Sequence, residues 1–276
     1  MNLVVQGPGA TEAAARELAD LAGAREFRRI AEAAFRLRGA DRGFDAPAWC
    51  DARRMDAAWI PEGLRFADLR LVSMDMDSTL ITIECIDEIG GMLGIKPQIS
   101  AITEAAMRGE IEYPESLRRR VRLLAGLEVS ALARVYDEKL RYSPGAQALV
   151  ARCRAANIHL LLVSGGFTYF TERVKADLGL DETHSNVLEV SGGKLTGGLV
   201  GDLVDADAKA RRFREVAAAL GARREQTAAM GDGANDLKRM AEAGLSVAFR
   251  AKPVVRARAT CAFMHSGLDG LLNLYE

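Results

Sequence analysis

The stretch that decides the fold is Leu69-Arg70-Leu71-Val72-Ser73-Met74-Asp75-Met76-Asp77-Ser78-Thr79, an apolar run that ends in two acids. The apolar part is typical of a buried strand, so Asp75 and Asp77 stand where that strand ends. Two acids at i and i+2 repel each other unless a cation or a shared proton separates their roles. The pattern therefore indicates a divalent metal and a phosphoryl group, with one acid as nucleophile and the other as proton donor and acceptor.

Two simpler interpretations of this motif compete with the catalytic one. An isolated D-x-D is more often an acidic turn cap at a strand end. A calcium loop of the helix-loop-helix kind needs glycine at its sixth position and glutamate at its twelfth, but Leu80 and Ile86 stand there. The calcium interpretation is excluded, and the choice between a turn cap and a catalytic loop depends on the segments that follow.

Polar groups follow two other predicted strands and open one predicted helix. The run 158–163 leads into a Ser-Gly-Gly turn, whose hydroxyl and backbone N–H groups could bind an anion. A lysine opens an amphipathic helix, and the loop after strand 227–230 offers only oxygen ligands, which suits a hard cation. Taken singly, the turn is more simply a capped glycine turn and the lysine a solvated charge. The residues are Ser164, Gly165, Gly166, Lys209, Asp232, Asn235 and Asp236.

Together these elements resemble the haloacid dehalogenase superfamily of phosphohydrolases. Its motifs are D-x-D-x-[TV], a serine or threonine after the second strand, a lysine, and an acidic loop such as G-D-G-x-N-D, and all four occur here in order. Segments around Glu84, Met107 and Arg120 are similar to the branch that acts on phosphorylated serine, and the similarity covers about residues 70 to 270. The resemblance implies the small-molecule substrate O-phosphoserine and the last step of serine biosynthesis.

The resemblance also implies a role for each residue. Asp75 would be the nucleophile that becomes an aspartyl phosphate, and Asp77 the general acid and base. Mg²⁺ would be held by Asp75, Asp232 and the backbone carbonyl of Asp77, with Asp236 orienting these ligands. The implied substrate-binding residues are Ser164, Gly165 and Lys209 for the phosphoryl group, Glu84 for the ammonium, Arg120 for the carboxylate, Met107 and Tyr113 for the pocket lining, and Asn235, which also orients ligands or waters.

Other interpretations of the substrate-selecting residues stay open. Glu84 could merely flank a helix, and Arg120 lies in an arginine-rich stretch that could be an ordinary solvated face. The family often has phenylalanine where Tyr113 stands. The rival functions are a phosphatase or phosphotransferase for another small phosphoester, or a regulatory relative without turnover. The intact acids, serine and lysine argue against the last of these.

The chain divides into three parts of an α/β protein. Alternating strand and helix patterns over 69–83 and 143–276 predict a doubly wound parallel sheet, the Rossmann-like catalytic core. Helical periodicity near 84–93, 97–108, 113–124 and 130–140 predicts a helical cap over 84–142, inserted after the first motif. Glycines between Val187 and Gly201 predict a β-hairpin. Residues 1–68 predict a small α+β appendage that serves packing or dimerisation, or an abbreviated regulatory module.

Composition narrows the class of protein. The chain has 276 residues, of which 49% are hydrophobic, and a net charge of -1 that argues against a nucleic-acid footprint. Its 4 cysteines and 3 histidines are scattered, which predicts reduced thiols and no histidine-ligated metal. The absence of a basic leader and of an 18-residue apolar run predicts a cytoplasmic protein without a membrane partner. A homodimer is compatible with all of these features.

Overall fold

Two sheets organise the chain in the computed structural model, which describes residues 1–108 and 110–276 apart from the Met107 side chain. The first sheet is antiparallel and has four strands in the order β2-β3-β1-β4, with two helices packed on one face. Its elements are β1 (Asn2–Gln6), α1 (Glu12–Leu21), β2 (Glu26–Ala31), β3 (Ala34–Arg38), α2 (Ala46–Asp51) and β4 (Asp56–Ile60).

The two faces of this N-terminal sheet have different partners. Leu3 and Val5 of β1 pack with α1 and α2, whereas Val4 joins the core of the rest of the chain, as period-two alternation requires. The buried Arg36 donates from Nη2 to the carbonyls of Asn273 (3.0 Å) and Tyr275 (2.8 Å). The N-terminal module is thus tied to the C-terminal segment by apolar and polar contacts together.

The second sheet has seven strands in the order β11-β10-β9-β5-β6-β7-β8, parallel except for the antiparallel pair β7–β8. This arrangement confirms the predicted doubly wound α/β core. Its elements are β5 (Leu71–Met74), α7 (Ala146–Ala155), β6 (His159–Phe167), α8 (Thr168–Leu178), β7 (Glu182–Ser191), β8 (Lys194–Val200), α9 (Ala206–Ala219), β9 (Thr227–Gly231), α10 (Leu237–Glu242), β10 (Leu245–Phe249), α11 (Pro253–Arg256), β11 (Cys261–Phe263) and α12 (Gly270–Asn273).

Four helices lie between β5 and α7, close to the predicted positions. Their helical periodicity was strong enough to place each within a few residues. They are α3 (Cys85–Met92), α4 (Lys96–Met107), α5 (Tyr113–Arg122) and α6 (Ser130–Lys139). Within the described ranges, no helix has the length and apolar character that a membrane span requires.

The predicted hairpin is β7–β8, and it also holds the helical insertion. Backbone hydrogen bonds join the segment after α5 to the β8 strand, from Gly126 N to Leu195 O and from Leu195 N to Leu127 O, both at 2.8 Å. Val129 N donates to Gly193 O at 3.0 Å. The α5–α6 half of the insertion is therefore anchored to the core through the hairpin.

Candidate active site

The carboxyl ends of β5, β6 and β9 meet at one edge of the large sheet. β5 lies between the other two, and its last residue, Met74, pairs with Leu162 of β6 and Met230 of β9. Asp75, the next residue, donates its backbone N–H to the carbonyl of Met230 at 3.0 Å. The parallel register therefore gathers the polar residues that follow these strands, as the sequence predicted.

A wide turn over residues 76–80 places both acids of the first motif. Leu80 N donates to Asp75 O at 3.2 Å and Ile81 N donates to Met76 O at 3.0 Å, which are i→i+5 bonds of π type. The Asp77 carboxylate accepts from Cys85 N at 3.1 Å. Asp75 is buried and Asp77 half-buried, so one short loop presents two carboxylates in different environments.

The segment after Val163 differs from the simple turn that the sequence predicts. The extended backbone continues through Phe167, with a register irregularity against β7. The buried Ser164 accepts from Gly166 N through Oγ at 2.9 Å. A Cβ at Gly166 would lie 2.8 Å from Asp77 Oδ2, so this glycine lets the strand end approach the first motif. The same Cβ would lie 3.0 Å from Ser164 Oγ, so Ser164 and Asp77 both border the space beside this glycine.

Lys209 lies at the centre of the site and is fully buried. Its Nζ is 2.9 Å from Asp75 Oδ1 and 3.1 Å from Asp236 Oδ1. Asp236 Oδ1 also accepts from Arg239 Nη2 at 2.9 Å, and the buried Arg239 donates from Nη1 to Ser73 Oγ at 2.9 Å. Asp236 thus holds the Lys209 side chain in place, and the Lys209 ammonium also contacts Asp75.

Three carboxylates form a group that fits a divalent cation. Asp75, Asp232 and Asp236 each offer an oxygen within 4.8 Å of the others. Asp75 Oδ1 is buried and forms an ion pair with Lys209, but it receives no well-directed hydrogen bond from the residues that the structure describes. An oxygen with unused acceptor capacity, in a site of oxygen ligands only, matches the ligand preference of a hard cation. This oxygen fits the predicted metal site, although Asp236 already serves Lys209 and Arg239.

Burial and like charge shift the pKa values of these acids. Burial, together with the neighbouring Glu84, raises the pKa of Asp77 from 3.8 to about 7. Burial and the carboxylate of Asp236 raise the pKa of Asp232 to about 6 and the pKa of Asp75 well above its usual range. Burial alone would lower the pKa of Lys209, but the carboxylates of Asp236 and Asp75 outweigh it and raise that pKa. Asp77 is therefore poised to donate a proton near neutral pH.

The residues predicted to select the substrate lie on the cap side of this cluster. Glu84 precedes α3 and lies close enough to Arg120 and Lys252 for their charges to lower its pKa, although burial raises it overall. The half-buried Arg120 donates from Nε to Ser116 O at 3.4 Å. Tyr113 at the start of α5 reaches the carbonyl of Gly165 with its hydroxyl at 3.5 Å.

Asn235 and Met107 were also predicted to belong to the site. Asn235 is half-buried in the turn between Asp232 and Asp236, as expected from its place in the loop. The side chain of Met107 lies outside the described residues, so its predicted place in the pocket stays a prediction.

Several residues of the site were missed by sequence reasoning. Arg239 follows Asp236 at the i+3 spacing of a helical ion pair, which was an available signal. Thr79 donates its hydroxyl to Asp232 Oδ1 at 3.1 Å, and Ser78 donates its hydroxyl to Glu84 Oε1 at 2.7 Å. Both belong to the first motif, where only the acids had been given roles.

Comparison with known proteins agrees with this geometry. The family model of haloacid dehalogenase-like hydrolases matches residues 72–241, and a domain family of unknown function (DUF4072) matches residues 3–44. A curated phosphoserine phosphatase from Polaromonas sp. is 53% identical over 218 residues, which is 77% of this chain and 92% of that protein.

Solved structures of similar proteins superpose on most of this chain. The unliganded probable phosphoserine phosphatase from Vibrio cholerae superposes with a TM-score of 0.86 at 35% identity, covering 99% of this chain and 85% of that chain. A phospho-aspartyl intermediate analogue of a phosphoserine phosphatase superposes with a TM-score of 0.70 at 34% identity, covering 75% of this chain and 99% of that chain.

Proposed function

Because this chain belongs to the haloacid dehalogenase-like hydrolases and, within them, to the phosphoserine phosphatases, we propose that it hydrolyses O-phosphoserine through an aspartyl phosphate on Asp75. The observation that carries the proposal is the pairing of two different acids in one turn. Asp75 is buried beside the Lys209 ammonium, whereas Asp77 has a pKa of about 7. A nucleophile and a proton donor are thereby available on the same loop.

The first half-reaction transfers the phosphoryl group to the enzyme. A carboxylate oxygen of Asp75 attacks phosphorus in line, and the bond from phosphorus to the serine oxygen breaks. Asp77, still protonated near neutral pH, gives its proton to the departing oxygen, so serine leaves as a neutral alcohol. The similar protein solved as a phospho-aspartyl intermediate analogue supports this assignment.

The second half-reaction restores the carboxylates. Asp77, now ionised, takes a proton from a water molecule whose oxygen attacks the phosphorus of the aspartyl phosphate. The bond between phosphorus and the Asp75 oxygen breaks, which frees Asp75 and releases inorganic phosphate. Two easier steps thus replace one difficult displacement.

Positive charge stabilises the phosphoryl group in both steps. Lys209, held by Asp75 and Asp236, and the Ser164 hydroxyl are suited to the equatorial phosphoryl oxygens. Mg²⁺ would be held by Asp75, Asp232 and the backbone carbonyl of Asp77. When bound, it would neutralise the carboxylates of Asp75 and Asp232, lower the pKa values of these two groups and polarise the phosphoryl group.

Selection of the amino acid is assigned to the cap side. Glu84 would pair with the substrate ammonium and Arg120 with its carboxylate, since both side chains lie on the same side of the cluster. Tyr113 would close the pocket over Gly165, and its hydroxyl replaces the apolar contact that phenylalanine gives elsewhere in the family.

The function is tested by phosphate release from a panel of phosphomonoesters, with Mg²⁺ and with EDTA, and with and without acceptor alcohols. We expect phosphoserine to be strongly preferred over p-nitrophenyl phosphate and EDTA to abolish turnover. Equal rates across the panel would contradict the assigned substrate. Phosphoryl transfer to an alcohol in preference to water would identify a phosphotransferase.

The same panel tests the substrate-selecting residues. Arg120→Ala should lower kcat/KM for phosphoserine by about 10- to 150-fold more than for p-nitrophenyl phosphate, the range of a charge-assisted pair. Arg120→Lys should recover only part, because an ammonium lacks the bidentate fork. Arg119→Ala is the matched control, since that exposed arginine pairs with Glu115 at 2.7 Å. Equal losses on both substrates would mean that Arg120 supports the cap instead.

A further inference from the structure

Ser78 adopts a backbone conformation that normally favours glycine. Its φ is 55° and its ψ is 2°, in the left-handed region, directly after Asp77. A non-glycine residue with such a backbone costs about 1 kcal/mol or more relative to glycine. The serine side chain must therefore contribute something that glycine would lack.

The contribution visible in the structure is a short hydrogen bond to Glu84. Ser78 Oγ donates to Glu84 Oε1 at 2.7 Å, within the range of charge-assisted O–H···O⁻ bonds. The Ser78 backbone N–H donates to Ile83 O at 3.2 Å, so the loop and the segment before α3 are joined twice. Glu84 is the N-cap residue of α3 but its side chain makes no capping hydrogen bond, so its carboxylate is available to another partner.

We infer that Ser78 is a positioning residue for the ammonium end of the substrate. The inference rests on the proposed function, in which Glu84 pairs with that ammonium. Without a partner, the Glu84 side chain would sample several rotamers, and the Ser78 hydroxyl selects one of them. Because Ser78 is bonded directly to Asp77, this contact also fixes the ammonium site relative to the acid that protonates the serine oxygen.

Two variants separate the hydroxyl from the backbone. Ser78→Gly removes the hydroxyl and relieves the backbone, whereas Ser78→Ala removes the hydroxyl and keeps the backbone cost. Both should lower kcat/KM for O-phosphoserine by about 5- to 20-fold, mainly through KM, because a hydrogen bond to a charged group is lost. Asn157→Gly is the matched control, since Asn157 has the same φ of 55° away from the site.

Substrate analogues show which group of the substrate is affected by the loss of the Ser78 hydroxyl. O-phosphoethanolamine keeps the ammonium and should show the same loss in both variants. The phosphate ester of 3-hydroxypropionate keeps the carboxylate without an ammonium, and its kcat/KM should change by less than about 2-fold. In a Glu84→Gln background, Ser78→Gly should cost almost nothing more, since the two residues act as one unit.

Three results would overturn the inference. They are equal losses on the esters with and without an ammonium, wild-type selectivity in Ser78→Gly, and additive effects of Ser78→Gly and Glu84→Gln. If only Ser78→Ala misfolds, Ser78→Gly still decides the question. A wild-type enzyme that releases no phosphate from phosphoserine would instead refute the proposed function, and this inference with it.

Discussion

Carboxylates are buried in two places: at the N-terminal interface, where the small sheet meets the C-terminal segment, and at the edge of the large sheet. The negative charge of these carboxylates is balanced differently in the two places. At the interface, Asp56 accepts hydrogen bonds from three successive backbone N–H groups, those of Met264, His265 and Ser266. The donor–acceptor distances are 2.8, 3.2 and 2.7 Å, and Asp56 is 6% exposed. Fixed neutral donors therefore satisfy this carboxylate completely.

At the sheet edge, three carboxylates share two buried cationic side chains. Lys209 and Arg239 both bind Asp236, and Lys209 also faces Asp75. Within the described part of the chain, Asp75 Oδ1 receives no well-directed hydrogen bond. Asp232 has the hydroxyl of Thr79 as a partner. This surplus of negative charge can bind a divalent cation, whose positive charge would in turn attract a phosphoryl group. Charge balance, more than burial, separates the structural acid Asp56 from the acids that we propose to be catalytic.

The largest effect expected from this difference is at Asp75. Asp75→Asn should abolish the phosphoenzyme and turnover, because an amide is not a competent nucleophile here. Rapid-quench detection of an acid-stable, base-labile phosphoenzyme is the measurement. Label that remains attached to the Asp75→Asn enzyme would show that another residue is the nucleophile.

Asp77→Asn should have the next largest effect on catalysis. The amide cannot exchange a proton, so both formation and breakdown of the phosphoenzyme should slow by about 10²- to 10⁴-fold. Single-turnover kinetics with labelled phosphoserine measures the two steps separately. A variant that forms the phosphoenzyme at the wild-type rate would disprove the role of Asp77 as the acid.

Of these two regions, the edge of the large sheet was the one that the sequence predicted well. The strand ends were found because apolar runs and polar turns are local patterns, and parallel strands bring such turns to one edge. Asp75 and Asp232 lie together for that reason, whereas Lys209 reaches Asp75 from α9. The four cap helices were placed by their periodicity.

What the sequence could not predict depends on contacts between distant segments. The local pattern of residues 30–37 fits a helix as well as a strand, and these residues lie in β2, β3 and the turn between them because β3 pairs with β1 and β2. Arg239 looks like a surface arginine until Ser73 and Met230 supply its partners. Asp56 looks like any acid at a strand start, since its donors are more than two hundred residues away. Trp49 and Trp59 pack on the N-terminal module's own core, and Val4 and Ile60 provide contacts to the catalytic core.

The surplus charge should also appear in the stability of the metal-free protein. The folded pKa values of Asp77 (about 7) and Asp232 (about 6) exceed the ordinary 3.8. The folded state therefore binds more protons than the unfolded state between pH about 4 and 7, so its stability falls as pH rises through that window. The loss should be on the order of a few kcal/mol.

Urea unfolding in EDTA at a series of pH values measures this loss. Mg²⁺ should stabilise the protein far more at pH 8 than at pH 5, and Asp77→Asn should flatten the metal-free slope. Stability that rises with pH from 5 to 7 in EDTA would contradict the assigned charge imbalance.

The smallest effect on catalysis is expected at Asp56, although the fold should depend on it. Asp56→Ala leaves three backbone N–H groups without their acceptor and should lower the free energy of unfolding by about 2 to 4 kcal/mol. An open cavity of about 420 Å³ adjoins Asp56, so water can reach some of these donors. The loss of unfolding free energy should therefore lie near the lower end of this range. The residues that we propose to be catalytic lie at the edge of the other sheet, so kcat/KM of the folded variant should stay at the wild-type value.

Asp51→Ala is the matched control for this prediction. Asp51 pairs with His265 at 2.9 Å but is 63% exposed, and such surface pairs contribute less than about 1 kcal/mol. Urea unfolding with Mg²⁺ present, together with phosphate release, compares the two variants. Equal stability losses in Asp51→Ala and Asp56→Ala would mean that the three N–H groups are solvated without the carboxylate. A tenfold loss of kcat/KM in folded Asp56→Ala would show that the N-terminal interface and the catalytic edge are coupled, and the contrast between a structural and a catalytic acid would then fail.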